Sequence, residues 1–246
     1  MYNNKTAYCK REVKMFKLRL DDIKNRINIA ACRNGKKPPE GITLVAVSKT
    51  VDVYAVTEVF RLGVNDFGEN RVPELKEKQN SLPQARWHMI GQLQTNKVKD
   101  LITPERRPFL IHSLDRWNLA QELNKRGQAL NVLIDVLVQV NVAQETQKSG
   151  LELLETARFL EAAGQELGNL RIKGFMTMAP LVDNAEEVRP VFKELAALKR
   201  NLEQRKFPPN ITLEHLSMGM SQDFEVAVEE GADIVRIGRS LFADFQ

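Results

Sequence analysis

Cysteine is scarce in this chain: two in 246 residues, Cys9 and Cys32, both near the N-terminus and outside any metal-ligand spacing. That argues against a disulfide framework and a zinc site, and no metal is expected. Aromatic residues make up only 7% of the chain, and no stacking pattern or recognised binding module among them suggests a nucleic-acid partner. No apolar run approaches the roughly 18 residues needed to span a bilayer, so no membrane partner is expected. The opening residues, MYNNKTAYCKREVKMFKLRL, scatter charge throughout and lack the continuous apolar core of a secretory signal, which points to a cytoplasmic protein. Neither GxGxxG nor GxxxxGK[ST] occurs, so the two common nucleotide fingerprints are missing.

What the chain does contain is unevenly placed charge. The formal net charge is +4, yet residues 1–40 hold 11 Lys/Arg against 4 Asp/Glu, which leaves 25 against 28 for residues 41–246. Within the basic segment Val13, Phe16, Leu20, Ile23, Ile27 and Ala30 recur at three- and four-residue spacing, so the cations form the wet face of one amphipathic helix. The expected division is therefore residues 1–40, a basic helix and linker ending at Pro38-Pro39, and residues 41–246, a single larger domain.

That domain alternates. Short apolar runs occur at TLVAVS (43–48), VNDFG (64–68), RWHMIG (86–91), PFLIHSL (108–114), IDVLVQVN (134–141), RIKGFMTMA (171–179), TLEHLSMG (212–219) and ADIVRIG (232–238). Helical periodicity fills the gaps, most clearly in NAEEVRPVFKELAALKRNLEQRK, where Val188, Phe192, Leu195, Leu198 and Leu202 form one stripe after an Asp183/Asn184 start signal. Eight strands alternating with helices and no hairpin signal imply parallel pairing through crossovers, and eight such units close into an α/β (β/α)₈ TIM barrel. A doubly wound open sheet is the competing architecture, without either phosphate-loop fingerprint to favour it.

In such a barrel the chemistry sits at the C-terminal strand ends. The polar residues there are Ser48, Lys49, Glu69, Asn70, His88, Gln92, Asn141, Thr177, Ser217, Ser221, Arg236, Arg239 and Ser240. Lys49 is the arresting one, because it closes the apolar run LVAVSKT. An amine at the edge of an apolar strand is partly desolvated, and nearby cations push the same way, so its neutral form becomes available for Schiff-base chemistry near neutral pH. Solvation or a salt bridge is the plainer fate of such a lysine. The turns LSMGMS (216–221) and RIGRS (236–240) follow the last two strands, where barrels commonly hold a phosphate on backbone N–H groups; Gly219 and Gly238 permit close approach, and Ser217 and Ser240 add hydroxyls. A Schiff-base lysine with a phosphate cradle fits a phosphorylated sugar in an aldolase or pyridoxal 5′-phosphate. Asn70 precedes a helical segment and would equally serve as its cap, and His88 reads first as a structural hydrogen-bonding residue.

Seven blocks in order narrow the choice: VAVSKT (45–50), FGENRVPE (67–74), WHMIGQLQTNK (87–97), VNVAQETQKSG (140–150), GFMTMAP (174–180), LSMGMSQDFEVAV (216–228) and VRIGRSLF (235–242). From about residue 18 to 243 the chain resembles the pyridoxal phosphate homeostasis protein family, single-domain relatives of the alanine racemase N-terminal barrel. The resemblance implies that Lys49 forms the covalent imine with pyridoxal 5′-phosphate. It further implies that Ser217, Gly219, Gly238, Arg239 and Ser240 hold the phosphate, mainly through main-chain N–H, and that Asn70 lies beside the ring. Arg236 would face the pyridine nitrogen, where a guanidinium cannot accept a proton and so leaves the ring a weak electron sink. Lys148, after the fifth strand near the mouth, reads first as a solvated lysine, with a transient amine for cofactor handover as the alternative.

Racemases of the alanine type need an acid/base on each face of the substrate, and their second base is a tyrosine from an added C-terminal domain. Here Gln246 follows directly on the eighth strand, and the three tyrosines are Tyr2, Tyr8 and Tyr54. The expected function is therefore to buffer or deliver pyridoxal 5′-phosphate, with apo-enzymes as recipients, rather than to turn over a substrate; the alternative is a pyridoxal-phosphate-dependent amino-acid racemase. A monomer is expected, since the racemase dimer relies on the missing domain.

Overall fold

The computed structural model of the chain describes residues 3–33, 35, 41–143 and 149–243, with side chains from residue 11 onward. Eight parallel strands close on themselves in sequence order: β1 (Thr43–Val47), β2 (Asp66–Glu69), β3 (Arg86–Met89), β4 (Leu110–Leu114), β5 (Ile134–Gln139), β6 (Leu170–Met176), β7 (Ile211–Ser217) and β8 (Ile234–Ile237). Each expected apolar run coincides with one of them, although β2 extends one residue past its run, to Glu69, and β6 and β7 begin one residue before theirs, at Leu170 and Ile211. The closing pair is β1 with β8, in the register Thr43↔Ile234 to Ala46↔Ile237. Helices α2 (Val53–Arg61), α3 (Val72–Ser81), α4 (Val98–Leu101), α5 (Trp117–Leu130), α6 (Leu153–Glu166), α7 (Arg189–Glu203) and α8 (Phe224–Glu229) form the crossovers, and α9 (Arg239–Phe242) follows β8.

Strand alternation sorts the side chains into two cores. Ala46, Phe67, Trp87, Ile111, Val136, Ile172, Leu216 and Val235 belong to the large buried cluster shared with the helices. Val45, Leu110, Leu137, Met176 and Ile234 form a second, small cluster in the barrel interior. The same inward parity carries Asp66, His88, His112, Ser217 and Arg236, so the interior is half polar, and all five are buried.

The basic segment forms helix α1 (Asn3–Arg33), and its stripe is buried as the spacing predicts: Phe16, Leu20, Ile23, Ile27 and Ala30 are at most 7% exposed. These side chains enter the large core alongside those of the barrel helices, the four larger ones each contributing about 1.5–3 kcal/mol of burial. The Phe16 ring meets Phe242 of α9 edge-on at 5.9 Å, and Arg26 stacks over Phe224 of α8 while bonding Glu225 at 2.7 Å. At α7, Asn184 accepts the Glu186 N–H as the start signal predicts, but one 3₁₀ turn (Ala185–Val188) precedes the α-helix, whose first turn holds Pro190.

Candidate functional site

The barrel register fixes which strand ends share a rim. Val47 pairs with Gly68, and Ala46 with Ile237, so the turn carrying Lys49 stands between Asn70 after β2 and the Gly238–Ser240 turn after β8. Lys49 is solvent-exposed in that turn, not desolvated at the strand's edge: β1 ends at Val47, and Ser48 takes the last buried position. No hydrogen bond or ion pair holds its ammonium among the described residues.

Ser48 is held from two sides. Its hydroxyl donates to Glu69 Oε1 at 2.7 Å, while Lys78 Nζ from α3 donates to the Ser48 carbonyl at 2.5 Å and to Glu69 Oε1 at 2.6 Å. Glu69 and Lys78 are both buried and form an ion pair on the outer wall of β1 and β2. The last residue before Lys49 is thus pinned through main chain and side chain. Asn70 is half-buried and does not cap α3; that position belongs to Arg71, which caps without a side-chain bond. The Asn70 carboxamide remains free of any hydrogen bond among the described residues.

The turns after β7 and β8 are stitched together. Arg236 N donates to Gly219 O at 3.0 Å, Ser240 N to Ser221 Oγ at 3.3 Å, and Arg239 Nη2 to Gln222 Oε1 at 3.1 Å. Gly219 has φ +91°, and a Cβ there would lie 2.6 Å from Ala227 Cβ, so the turn admits only glycine. Among the described residues no hydrogen bond engages the backbone N–H groups of Gly219, Gly238 or Arg239. Beside these turns opens a cleft of ≈ 590 Å³ lined by Met178, Pro180, Met220, Ser221, Asp223 and Arg239. Three unsatisfied N–H donors at the mouth of a barrel are groups of the kind from which an anion accepts hydrogen bonds.

Beneath the mouth runs a buried hydrogen-bonded file. Arg236 Nη1 donates to Ser217 Oγ at 2.7 Å and Nη2 to Thr177 O at 2.9 Å. Ser217 Oγ lies 2.9 Å from His112 Nδ1, His112 Nε2 lies 2.9 Å from His88 Nδ1, and His88 Nε2 lies 3.0 Å from Asp66 Oδ1. Arg86 closes the far end on Asp66 at 2.8 and 2.5 Å, half-exposed at the N-terminal rim. Burial pushes His88 below the usual histidine value despite its bond to Asp66, and pushes His112 well below it, aided by the nearby charges of His88 and Arg236. Burial would raise the Asp66 carboxyl, but hydrogen bonds from His88 and Arg86 outweigh it and hold it low. Burial lowers Arg236 to about 10, opposed by Asp223, so it stays a cation at neutral pH.

The expected site residues therefore separate. Lys49, Asn70, Gly219, Gly238, Arg239 and Ser240 share the mouth, while Arg236 and Ser217 lie below it. The Ser217 hydroxyl, expected as a phosphate donor, is instead spent between His112 and Arg236. His88 is the structural histidine its sequence context suggested. Asp66, His112 and Lys78 were not singled out by the sequence; His88, Ser217 and the Ser48 carbonyl, which they bond, lie 22, 105 and 30 residues away, although the ion-pair partner of Lys78, Glu69, is nine residues away. Lys148 lies outside the described residues.

The residue-level likeness extends to known proteins. The family model for the alanine racemase N-terminal domain matches residues 18–245. A protein named pyridoxal phosphate homeostasis protein from Aquifex aeolicus (strain VF5) is 45% identical over 228 residues, covering 92% of this chain and 96% of its own length. Its namesake from Escherichia coli (strain K12) is 37% identical over 231 residues, covering 91% and 94%. Among solved structures, PipY of Synechococcus elongatus PCC7942 matches with TM-score 0.80 and 33% identity without PLP, and 0.78 and 32% with PLP bound, covering 92% of this chain and 99% of PipY in each case. From its strand order to the sequence of its rim, this chain belongs to the alanine racemase N-terminal domain family, together with the pyridoxal phosphate homeostasis proteins.

Proposed function

We propose that this chain binds pyridoxal 5′-phosphate and stores or delivers it, with Lys49 as the amine that captures its aldehyde. The observation that carries this is the shared rim: an unpaired, exposed amine after β1 beside three unsatisfied backbone N–H groups after β7 and β8. The residues fit the group. Gly219, Gly238, Arg239 and Ser240 offer donors to a phosphate, Asn70 offers a free carboxamide beside the ring, and Arg236 is the cation for the side of the ring nitrogen. When bound, pyridoxal 5′-phosphate supplies an electrophilic aldehyde carbon and an electron-withdrawing ring. The names of the curated relatives and the PLP-bound form of PipY support the same ligand.

Storage rather than turnover follows from what surrounds the amine. Arg236 cannot accept a proton and stays charged, so the ring nitrogen remains unprotonated and the ring draws electrons weakly. Neither His88 nor His112 is free to act as an acid or base on a substrate, because each is buried and bonded on both ring nitrogens. Apo forms of pyridoxal-phosphate enzymes are the proposed recipients, and a cytoplasmic monomer is the proposed form. The test is to load purified protein with pyridoxal 5′-phosphate, reduce with borohydride and locate the added mass. Modification at Lys49, loss of the visible band in Lys49→Ala, and passage of the ligand to an apo-enzyme in the same tube are expected. A band retained in Lys49→Ala with the mass on another lysine would overturn the assignment, and multiple-turnover exchange of the α-proton of alanine in heavy water would overturn storage.

A further inference from the structure

The interior file has a direction that its end members dictate. Arginine has no acceptor, so Arg236 must donate to Ser217 Oγ. At the opposite end an ionised Asp66 can only accept, so His88 carries its proton on Nε2. A neutral His88 then accepts on Nδ1, which requires the proton of His112 to be on Nε2. A neutral His112 accepts on Nδ1, which draws the Ser217 hydroxyl proton toward it. Assigned from both ends, every proton in the file has one position, and all the bonds point from Arg236 to Asp66.

This matters at Arg236 because, among the described residues, no carboxylate holds its guanidinium directly. Its two recorded acceptors are neutral oxygens, Ser217 Oγ and Thr177 O. A serine hydroxyl is a rotor, and it presents a lone pair to arginine only while its own proton is directed elsewhere. His112 Nδ1 directs it, His88 fixes the tautomer of His112, and Asp66 fixes that of His88. Two imidazoles and a carboxylate buried in a barrel that aliphatic side chains could fill carry a desolvation cost, and a packing role alone does not require them.

We propose that Asp66, His88 and His112 are positioning residues for Arg236, a one-way hydrogen-bonded file that begins at the N-terminal rim of the barrel and fixes the guanidinium presented to a bound ligand at the other end. The proposal rests on the assignment of Arg236 to the ring side of pyridoxal 5′-phosphate. It deepens that assignment by adding a control point on the opposite face of the barrel, distant from the ligand.

Asp66→Asn tests it from the far end, since a carboxamide can donate as well as accept and so removes the reason for one tautomer. The first measurement is made without ligand: in ¹⁵N-labelled wild-type protein the imidazole N–H protons of His88 and His112 should appear as slowly exchanging signals. In Asp66→Asn both should move, although of the two imidazoles residue 66 bonds His88 alone. The second measurement is the visible band of protein loaded with pyridoxal 5′-phosphate. Asp66→Asn and His112→Phe should each shift its pH midpoint by about one unit and weaken binding by roughly tenfold, with Lys49 still modified on reduction. Movement of the His88 signal alone, or a band with wild-type midpoint and affinity in a folded Asp66→Asn protein, overturns the file. A wild-type protein that gives no band with pyridoxal 5′-phosphate overturns the ligand assignment and the proposal with it, whatever the imidazole signals do. Because Asp66 sits at the rim and the variant keeps its volume, the test does not depend on His112→Phe folding.

Discussion

Replacing Lys78 by methionine isolates the ion pair that fixes the start of the Lys49 turn. The substitution keeps most of the side-chain volume but deletes the ammonium that sits 2.6 Å from Glu69 Oε1 and 2.5 Å from the Ser48 carbonyl. Glu69 is 1% exposed, so its carboxylate is left in the wall with Ser48 Oγ as its remaining partner. Removing one member of a buried pair costs about 3–5 kcal/mol, a large part of the roughly 5–15 kcal/mol that stabilises a typical domain. For a chain of this length that lowers the melting temperature by roughly 6–20 °C. Urea unfolding of wild type, Lys78→Met, Glu69→Leu and the double variant closes the cycle. The double variant leaves only the two neutral groups of Ser48 short of a partner, at about 1–3 kcal/mol each, so it should be more stable than the sum of the single losses predicts. A loss below about 1 kcal/mol in Lys78→Met, or strictly additive single effects, would refute the picture of a pair that is costly to split but cheap to remove.

Acid should weaken the fold through the interior histidines. Their folded values lie below the ordinary one, so their contribution is complete above about pH 6.5 and is lost as pH falls and the unfolded chain takes up two protons, with a limiting slope of about 2.7 kcal/mol per pH unit. Asp66, held low, adds its loss only below about pH 3.9; equal urea midpoints at pH 7.5 and 5.5 would contradict the two histidine assignments. Gly219→Ala combines a positive φ with a Cβ contact of 2.6 Å and should cost about 2–5 kcal/mol, whereas Gly63→Ala, at φ +90° with open space around it, should cost about 1–2. Equal losses in denaturant would show that the turn relaxes. Phe16→Ala removes a fully buried ring from against Phe242 and should cost about 3–5 kcal/mol while also weakening pyridoxal 5′-phosphate binding through α9; unchanged affinity would detach α1 from the cradle.

The barrel was legible because its signals are local. Alternating apolar runs and stripes such as Val188 to Leu202 are periodic within one element, and all eight strands coincide with the runs that announced them, β2, β6 and β7 overrunning theirs by one residue. Rim positions followed from the rule that barrel chemistry gathers at C-terminal strand ends, which brought out Lys49, Asn70, Gly219 and Gly238. What stayed hidden depends on pairing across strands. His112 looks like one more residue of an apolar strand until His88 and Ser217 are set beside it, and Lys78 looks like one charge among several on α3 until Glu69 turns out to be buried under it. The partners of the Ser217 hydroxyl were hidden for the same reason: His112 and Arg236 reach it from other strands.

The seat of helix α1 has a consequence for how the molecule comes together. Arg26 and Arg33 bond partners 199 and 196 residues away, and the barrel itself closes by joining its first strand to its last. Contacts of that span carry a large loop-closure entropy and form late, which makes folding slow. Emerging from the ribosome, an early helix with a greasy flank must wait for its docking surface on α8 and α9, and that surface is cut from the same turns as the anion cradle. Nascent chains therefore have an interval in which α1 is a liability, open to chaperones or to other nascent chains. The moment that ends this exposure is also the moment at which the protein first becomes able to hold its ligand.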